Sequence, residues 1–157
     1  MILVVTGDLA RQAVDAVVRP ADATLAAVGA VAARLDEVGG ARFAAQRRTA
    51  TPLEAGAAVV TGGGDLPAGF VLHVVVADER GPADRERLRR GLVSAWQRAG
   101  DWGLRRLAAP LVGADGTLTL EESVGLLRET APDTAELSIV VDESQRDAVE
   151  ALVGRMT

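Results

Sequence analysis

Few side chains in this chain are equipped for catalysis. His73 is the single histidine, set inside the apolar run Phe70 to Val76. A general base needs access to its proton, so a satisfied structural histidine in a strand is the simpler reading. There is no cysteine, which removes thiol nucleophiles, disulfides and thiolate-bound metals together. Without a second histidine or a compact Asp/Glu cluster, no metal site is expected. Ser94, Ser123, Ser138 and Ser144 fall on expected helices, a strand or a cap. None occupies a nucleophile elbow, so Ser-His-Asp hydrolysis is not expected. No cofactor is expected either.

Two segments suit anion binding better than catalysis. Val28-Gly29-Ala30-Val31 lies near the start of a long alanine-rich stretch with helical composition, and the exposed amides of a helix start favour phosphate. Gly113-Ala114-Asp115-Gly116-Thr117 follows an expected strand and could form a second backbone cradle. Glycine loops mostly just turn the chain, so neither segment is decisive by itself. For the third cluster, Gly62-Gly63-Gly64, the following Asp65 and Pro67 make a turn the cheaper explanation.

The elements that must position these segments follow from hydrophobic patterning. Strands are expected at Ile2 to Val5, Ala16 to Val18 (stopped by Pro20), Ala57 to Thr61, Phe70 to Val76, Leu104 to Ala109 and Leu137 to Val141. Leu25 to Val38 reads as a helix closed by Gly39-Gly40, with a buried core role for its apolar start, Ala26 to Ala33. Arg42 to Leu53 reads as a loop or short helix. Asp84 to Ala99 is a helix with Leu88, Leu92, Ala95, Trp96 and Ala99 on one stripe. Thr119 and Glu122 form a capping box, and Asp142 with Gln145 caps the last helix. Strands alternating with amphipathic helices imply a mostly parallel sheet covered on both faces. Ligands of such sheets lie beyond the carboxyl ends of the strands. That rule gathers Gly7-Asp8, the segment after Val18 and the segment after Pro110 on one rim.

Composition agrees with this picture. At 157 residues, 48% hydrophobic and 25% charged, the chain fits one globular α/β domain over residues 1–157. A net charge of -5 argues against a nucleic-acid partner, since phosphate contact wants a basic face. The opening MILVVTGD is too short an apolar run for a leader or membrane span. A cytoplasmic protein with no membrane partner is the expectation.

Several stretches resemble the macro domain, a family best known for binding ADP-ribose, some members of which hydrolyse its esters. Val5-Thr6-Gly7-Asp8-Leu9 and Val14-Asp15-Ala16-Val17-Val18 resemble that family's first two strands. Ala57 to Thr61, Asp65-Leu66-Pro67 and Val71-Leu72-His73-Val74-Val75 resemble its strand, Asn-Leu-Pro turn and Ile-His-Thr-Val strand. Ala108-Ala109-Pro110-Leu111-Val112-Gly113 resembles the strand that leads into its second phosphate loop. The resemblance implies a three-layer α/β/α fold with a mostly parallel mixed central sheet, and a ligand of the ADP-ribose class. It assigns Asp8, followed by Leu9, to the adenine amino group.

The other functional positions depart from the family pattern. Its Asn-Ala-Ala-Asn motif stands here as Arg19-Pro20-Ala21-Asp22, putting a carboxylate where an amide would both donate and accept. Its glycine-rich segment resembles Gly29-Ala30-Val31-Ala32-Ala33-Arg34-Leu35, with methyl groups where backbone should meet diphosphate. Arg34 is read either as a compensating charge or as an outward-facing helical residue. A Gly-Thr-Gly loop stands as Gly113-Ala114-Asp115, followed by Gly116; like charges about 5 Å apart repel by a few kcal/mol at an effective dielectric near ~20. Val141 takes the place where many members stack an aromatic ring on adenine.

The expectation is a divergent macro-like module that binds ADP-ribose or a related nucleotide diphosphate weakly, without hydrolase activity and with no catalytic residue assigned. The competing reading is a degenerate macro-like domain used for association with a protein partner or with itself. An open cleft between the Gly29 and Gly113 loops favours the first; a filled cleft beside a large apolar patch favours the second. A third possibility, altered catalysis through Asp22, requires its carboxyl pKa to be shifted up.

Overall fold

β-branched runs set the sheet, and two-residue alternation decides what covers each face. A computed structural model of the chain describes residues 1–114 and 116–155. The strands are β1 (Ile2–Thr6), β2 (Ala16–Asp22), β3 (Ala58–Gly62), β4 (Phe70–Asp78), β5 (Gly81–Pro82), β6 (Arg106–Ala109) and β7 (Glu136–Val141). They form one sheet in the order β1-β7-β6-β2-β4-β3, with β5 pairing only β4. The β1–β7, β7–β6, β6–β2 and β2–β4 pairings are parallel, whereas β3 and β5 run antiparallel to β4. The helices are α1 (Ala30–Gln46), α2 (Arg85–Asp101), α3 (Leu120–Thr130) and α4 (Arg146–Arg155).

Alternate residues feed two cores. Ala16, Val18, Leu107 and Ile139 face α2, α3 and α4 through Leu88, Leu92, Val124 and Val149. Their neighbours Val17, Ala108 and Val140 face α1 through Leu35 and Phe43. The result is the expected α/β/α arrangement with a mixed, mostly parallel sheet.

Three expectations are corrected. β2 does not stop at Pro20 but runs to Asp22. The β6 ladder touches only Ala16 and Val17, so Pro20 removes no donor that β6 would have used. α1 starts at Ala30, five residues later than the composition suggests, because Leu25 (φ 66) and Gly29 (φ 90) keep the preceding segment in a loop. Its far end agrees with the glycine pair: Gly40 (φ 69, ψ -163) breaks the helical conformation, and a second helical stretch runs on to Gln46. The segment Ala26 to Ala33 is therefore not a buried core helix: Ala26, Gly29, Ala30, Val31 and Ala33 are exposed, and only Ala32 is buried.

Caps complete the frame. Asp84 accepts the Arg87 amide at the start of α2, and Thr119 with Glu122 closes the capping box of α3. The Gly62 to Gly64 run is structural: any side chain on Gly64 (φ 60) would collide with the Phe43 backbone.

Candidate functional site

Where parallel β1, β7, β6 and β2 end, the chain leaves a cavity of about 580 Å³. This is the rim that doubly covered sheets offer to ligands. Gly7, Asp8 and Leu9 bound it after β1, Pro110, Leu111, Gly113 and Ala114 after β6, and Val140, Val141 and Asp142 around the end of β7. Val28 to Val31 supply the wall at the start of α1, with Arg34 one turn further on. Eight of the residues expected from sequence meet here: Asp8, Leu9, Gly29, Ala30, Val31, Gly113, Ala114 and Val141.

Asp8 is held on both sides. Its Oδ1 accepts the Ala10 amide at 3.0 Å, capping a one-turn 3-10 helix at Leu9–Arg11. Its Oδ2 lies 3.2 Å from Arg34 Nε, and Arg34 Nη1 reaches Glu37 at 3.3 Å. Arg34 is thus both an ion-pair partner of Asp8 and part of the cavity wall, not simply an outward-facing residue.

The two backbone loops differ in what they leave open. Gly29 caps α1 with no side-chain hydrogen bond. The first-turn amides after it have no acceptor within the helix, so they retain capacity for an anion. In the other loop, the Ala114 amide donates to Leu111 O at 3.2 Å, and Gly113 O accepts the amides of Gly116 and Leu118 at 3.1 and 3.0 Å. Gly113 (φ 80) is needed there because a Cβ would press on Leu88 and Leu118 at 3.0 Å. Gly116 is exposed and does not line the cavity. Asp115 lies outside the described residues.

Asp22 does not line the cavity. Its Oδ1 accepts the Thr24 amide and hydroxyl, both at 2.8 Å, and the Ala26 amide at 3.0 Å, closing the turn after β2. Partial desolvation works against its charge, but these bonds from Thr24 and Ala26 outweigh it and hold the carboxyl below its ordinary range. That is the reverse of what a general base needs.

Behind the α1 wall lies a buried polar cluster that no local pattern marks. Arg19, fully buried, donates to Asp36 through Nε at 2.8 Å and Nη2 at 3.0 Å, and through Nη1 to Leu25 O at 2.9 Å. Arg47 reaches the same Asp36 at 2.8 Å and lies over Phe43, 4.8 Å from its ring centre. His73, paired with Arg19 in the β2–β4 register, places Nδ1 3.2 Å from Arg19 Nη1 and Nε2 2.8 Å from Thr61 Oγ1. Guanidinium can only donate, so Nδ1 accepts and Nε2 carries the proton. Burial and then the charges of Arg19 and Arg47 push the imidazole down to about 3. His73 is a neutral, satisfied core residue, as its strand position suggested.

Sequence reasoning missed Val140, Asp142 and Gln145 as wall residues, and left Arg34 undecided. Arg34 was accessible to pattern: it lies three and four residues beyond Val31 and Ala30, on the same helical face. Gln145 carried no signal; its Oε1 approaches the Asp142 amide at 3.4 Å. Among the described residues, no group of three or more His, Asp or Glu is placed to hold a metal ion, and no helix is long and apolar enough to cross a membrane.

A family model for the macro domain matches residues 18–121. The chain belongs to the macro domain family. An uncharacterized protein from Aeropyrum pernix is 33% identical over 124 residues, which cover 74% of this chain and 62% of that relative. The chain spans less still, 41%, of a similar uncharacterized protein of Mycobacterium tuberculosis. The Trypanosoma brucei macrodomain in complex with ADP-ribose superposes with a TM-score of 0.79 at 23% identity, covering 98% of this chain and 69% of that one. The Oceanobacillus iheyensis macrodomain with ADP gives 0.78 at 16% identity, covering 98% and 90%. At such identities the likeness is one of fold, and the macro-domain fold generally binds ADP-ribose.

Proposed function

We propose that this macro domain binds ADP-ribose or a related nucleotide diphosphate in the cavity at the strand ends, weakly and without hydrolysing it. The observation that carries the reading is an open cavity of about 580 Å³ with both Asp8 and the uncapped start of α1 on its wall. A carboxylate suits a donor on the base, whereas unpaired helix-start amides suit a diphosphate. The openness of the cavity favours a small ligand over protein association through a filled rim.

Weak binding follows from what the wall lacks. Ala30 stands where a glycine would let backbone approach more closely, and Val141 gives apolar contact without a ring. The Gly113 loop has already used several of its own amides and carbonyls. Absence of hydrolysis follows from the candidate bases: Asp22 is tied into its turn and His73 is neutral and buried.

Calorimetric titration with ADP-ribose at low salt, with AMP as comparison, tests the reading. Saturable heat with ADP-ribose, weaker with AMP, and a raised melting temperature are expected. No heat and an unchanged melting temperature would contradict it. Incubation with an ADP-ribosylated protein should release no ADP-ribose.

A further inference from the structure

We infer that Arg34 supplies the flat surface on which the ligand's base stacks, making it a specificity-determining residue; this rests on the nucleotide reading above. The cavity sorts a nucleotide by charge. Asp8 and Asp142 stand on its wall, whereas the start of α1 offers unpaired amides. A diphosphate is repelled by the carboxylates and drawn to the amides, which leaves the nucleoside beside Asp8.

A base there finds no ring among the described lining residues. Phe43 is taken up with His73 and Arg47, and Phe70 with Trp102. The planar side-chain groups left on the wall, apart from carboxylates, are the Arg34 guanidinium and the Gln145 amide. Arg34 is the better platform, because guanidinium stacks on aromatic faces and is only weakly hydrated. Its edges are already fixed, Nε by Asp8 at 3.2 Å and Nη1 by Glu37 at 3.3 Å. Edge contacts hold the plane by its rim, and stacking needs only a face. The side chain is 39% exposed, so it is neither sealed off nor loose in solvent. The two flanking carboxylates also offset its charge, which argues against a phosphate clamp. Val141, which lines the same cavity, offers such a base apolar contact.

Substitutions separate the plane from the charge. Arg34→Ala loses both, Arg34→Lys keeps the charge and its pairing with Asp8, and Arg34→Trp keeps a plane alone. ADP-ribose affinity is measured by calorimetry for each, with melting temperatures to verify folding. The expected result is about a five- to tenfold loss for Ala and Lys, with Trp within about threefold of the parent protein. If Lys binds like the parent and Trp like Ala, charge is what matters and the stacking assignment is wrong. Equal affinities across all four proteins would overturn it too. If the parent protein itself binds neither ADP-ribose nor ADP, the nucleotide reading fails and the assignment falls with it.

Discussion

Helix α1 carries an arginine–aspartate pair on each of two sides, and the two are built for different work. Inside, Asp36 takes three hydrogen bonds from Arg19 and Arg47, and Arg19 is completely buried. At the cavity, Arg34 meets Asp8 through one nitrogen at 3.2 Å, with both side chains more than a third exposed. The same two residue types give a rigid tie in one place and an accessible recognition surface in the other. Burial decides which: a buried charge left without its partner is costly, whereas an exposed pair contributes little to stability.

The sharpest way to break this contrast is to delete the inner anion. Asp36→Ala strands two guanidinium groups, and urea or thermal unfolding should register a loss of about 3–5 kcal/mol. The outer equivalent, Asp8→Asn, keeps an acceptor for the Ala10 amide and should change stability by less than about 1 kcal/mol. An equal loss from both would erase the distinction.

Acid should find the inner region first. His73 titrates near 3 in the folded chain but near 6.5 when unfolded, so the unfolded state binds more protons between those values. Its contribution to stability is complete above about pH 6.5 and is lost as pH falls toward 3, by on the order of a few kcal/mol. Melting temperatures of the parent and His73→Gln across that window should diverge, with the variant showing the shallower acid slope.

Binding should then sort the residues in the opposite order from stability. Asp8→Asn is expected to weaken ADP-ribose about tenfold, equivalent to ~1.4 kcal/mol, in a calorimetric titration. The smallest effect belongs to Asp22→Asn, which keeps the turn's acceptor and lies off the cavity wall; its ADP-ribose affinity should stay within about threefold. A tenfold gain there would mean that Asp22 repels the ligand despite its place in the turn.

Much of the fold was legible because burial leaves periodic marks. Val17 and Val18 point to opposite cores, Thr119 announces α3, and the run from Phe70 forms the long strand β4. The rim followed from where strands end, which brought Asp8, Gly29 and Gly113 together before any side chain was placed. What escaped was long-range pairing. The partners Arg19 and Asp36 are 17 residues apart, and Arg19 and His73 are 54 apart. No local pattern marks an arginine as interior, and the motif comparison gave Arg19 no role. Asp22 misled for a related reason: position in the motif was visible, but the hydrogen bonds to Thr24 and Ala26 that close its turn were not.

The most direct test is to map ADP-ribose onto the backbone with amide chemical shifts of the ¹⁵N-labelled protein. The account predicts that the largest changes fall at Gly29 to Val31 and Gly7 to Leu9, with the resonances of Arg19, Asp36 and His73 nearly unmoved. Changes centred away from the cavity, or none at millimolar ligand, would contradict it.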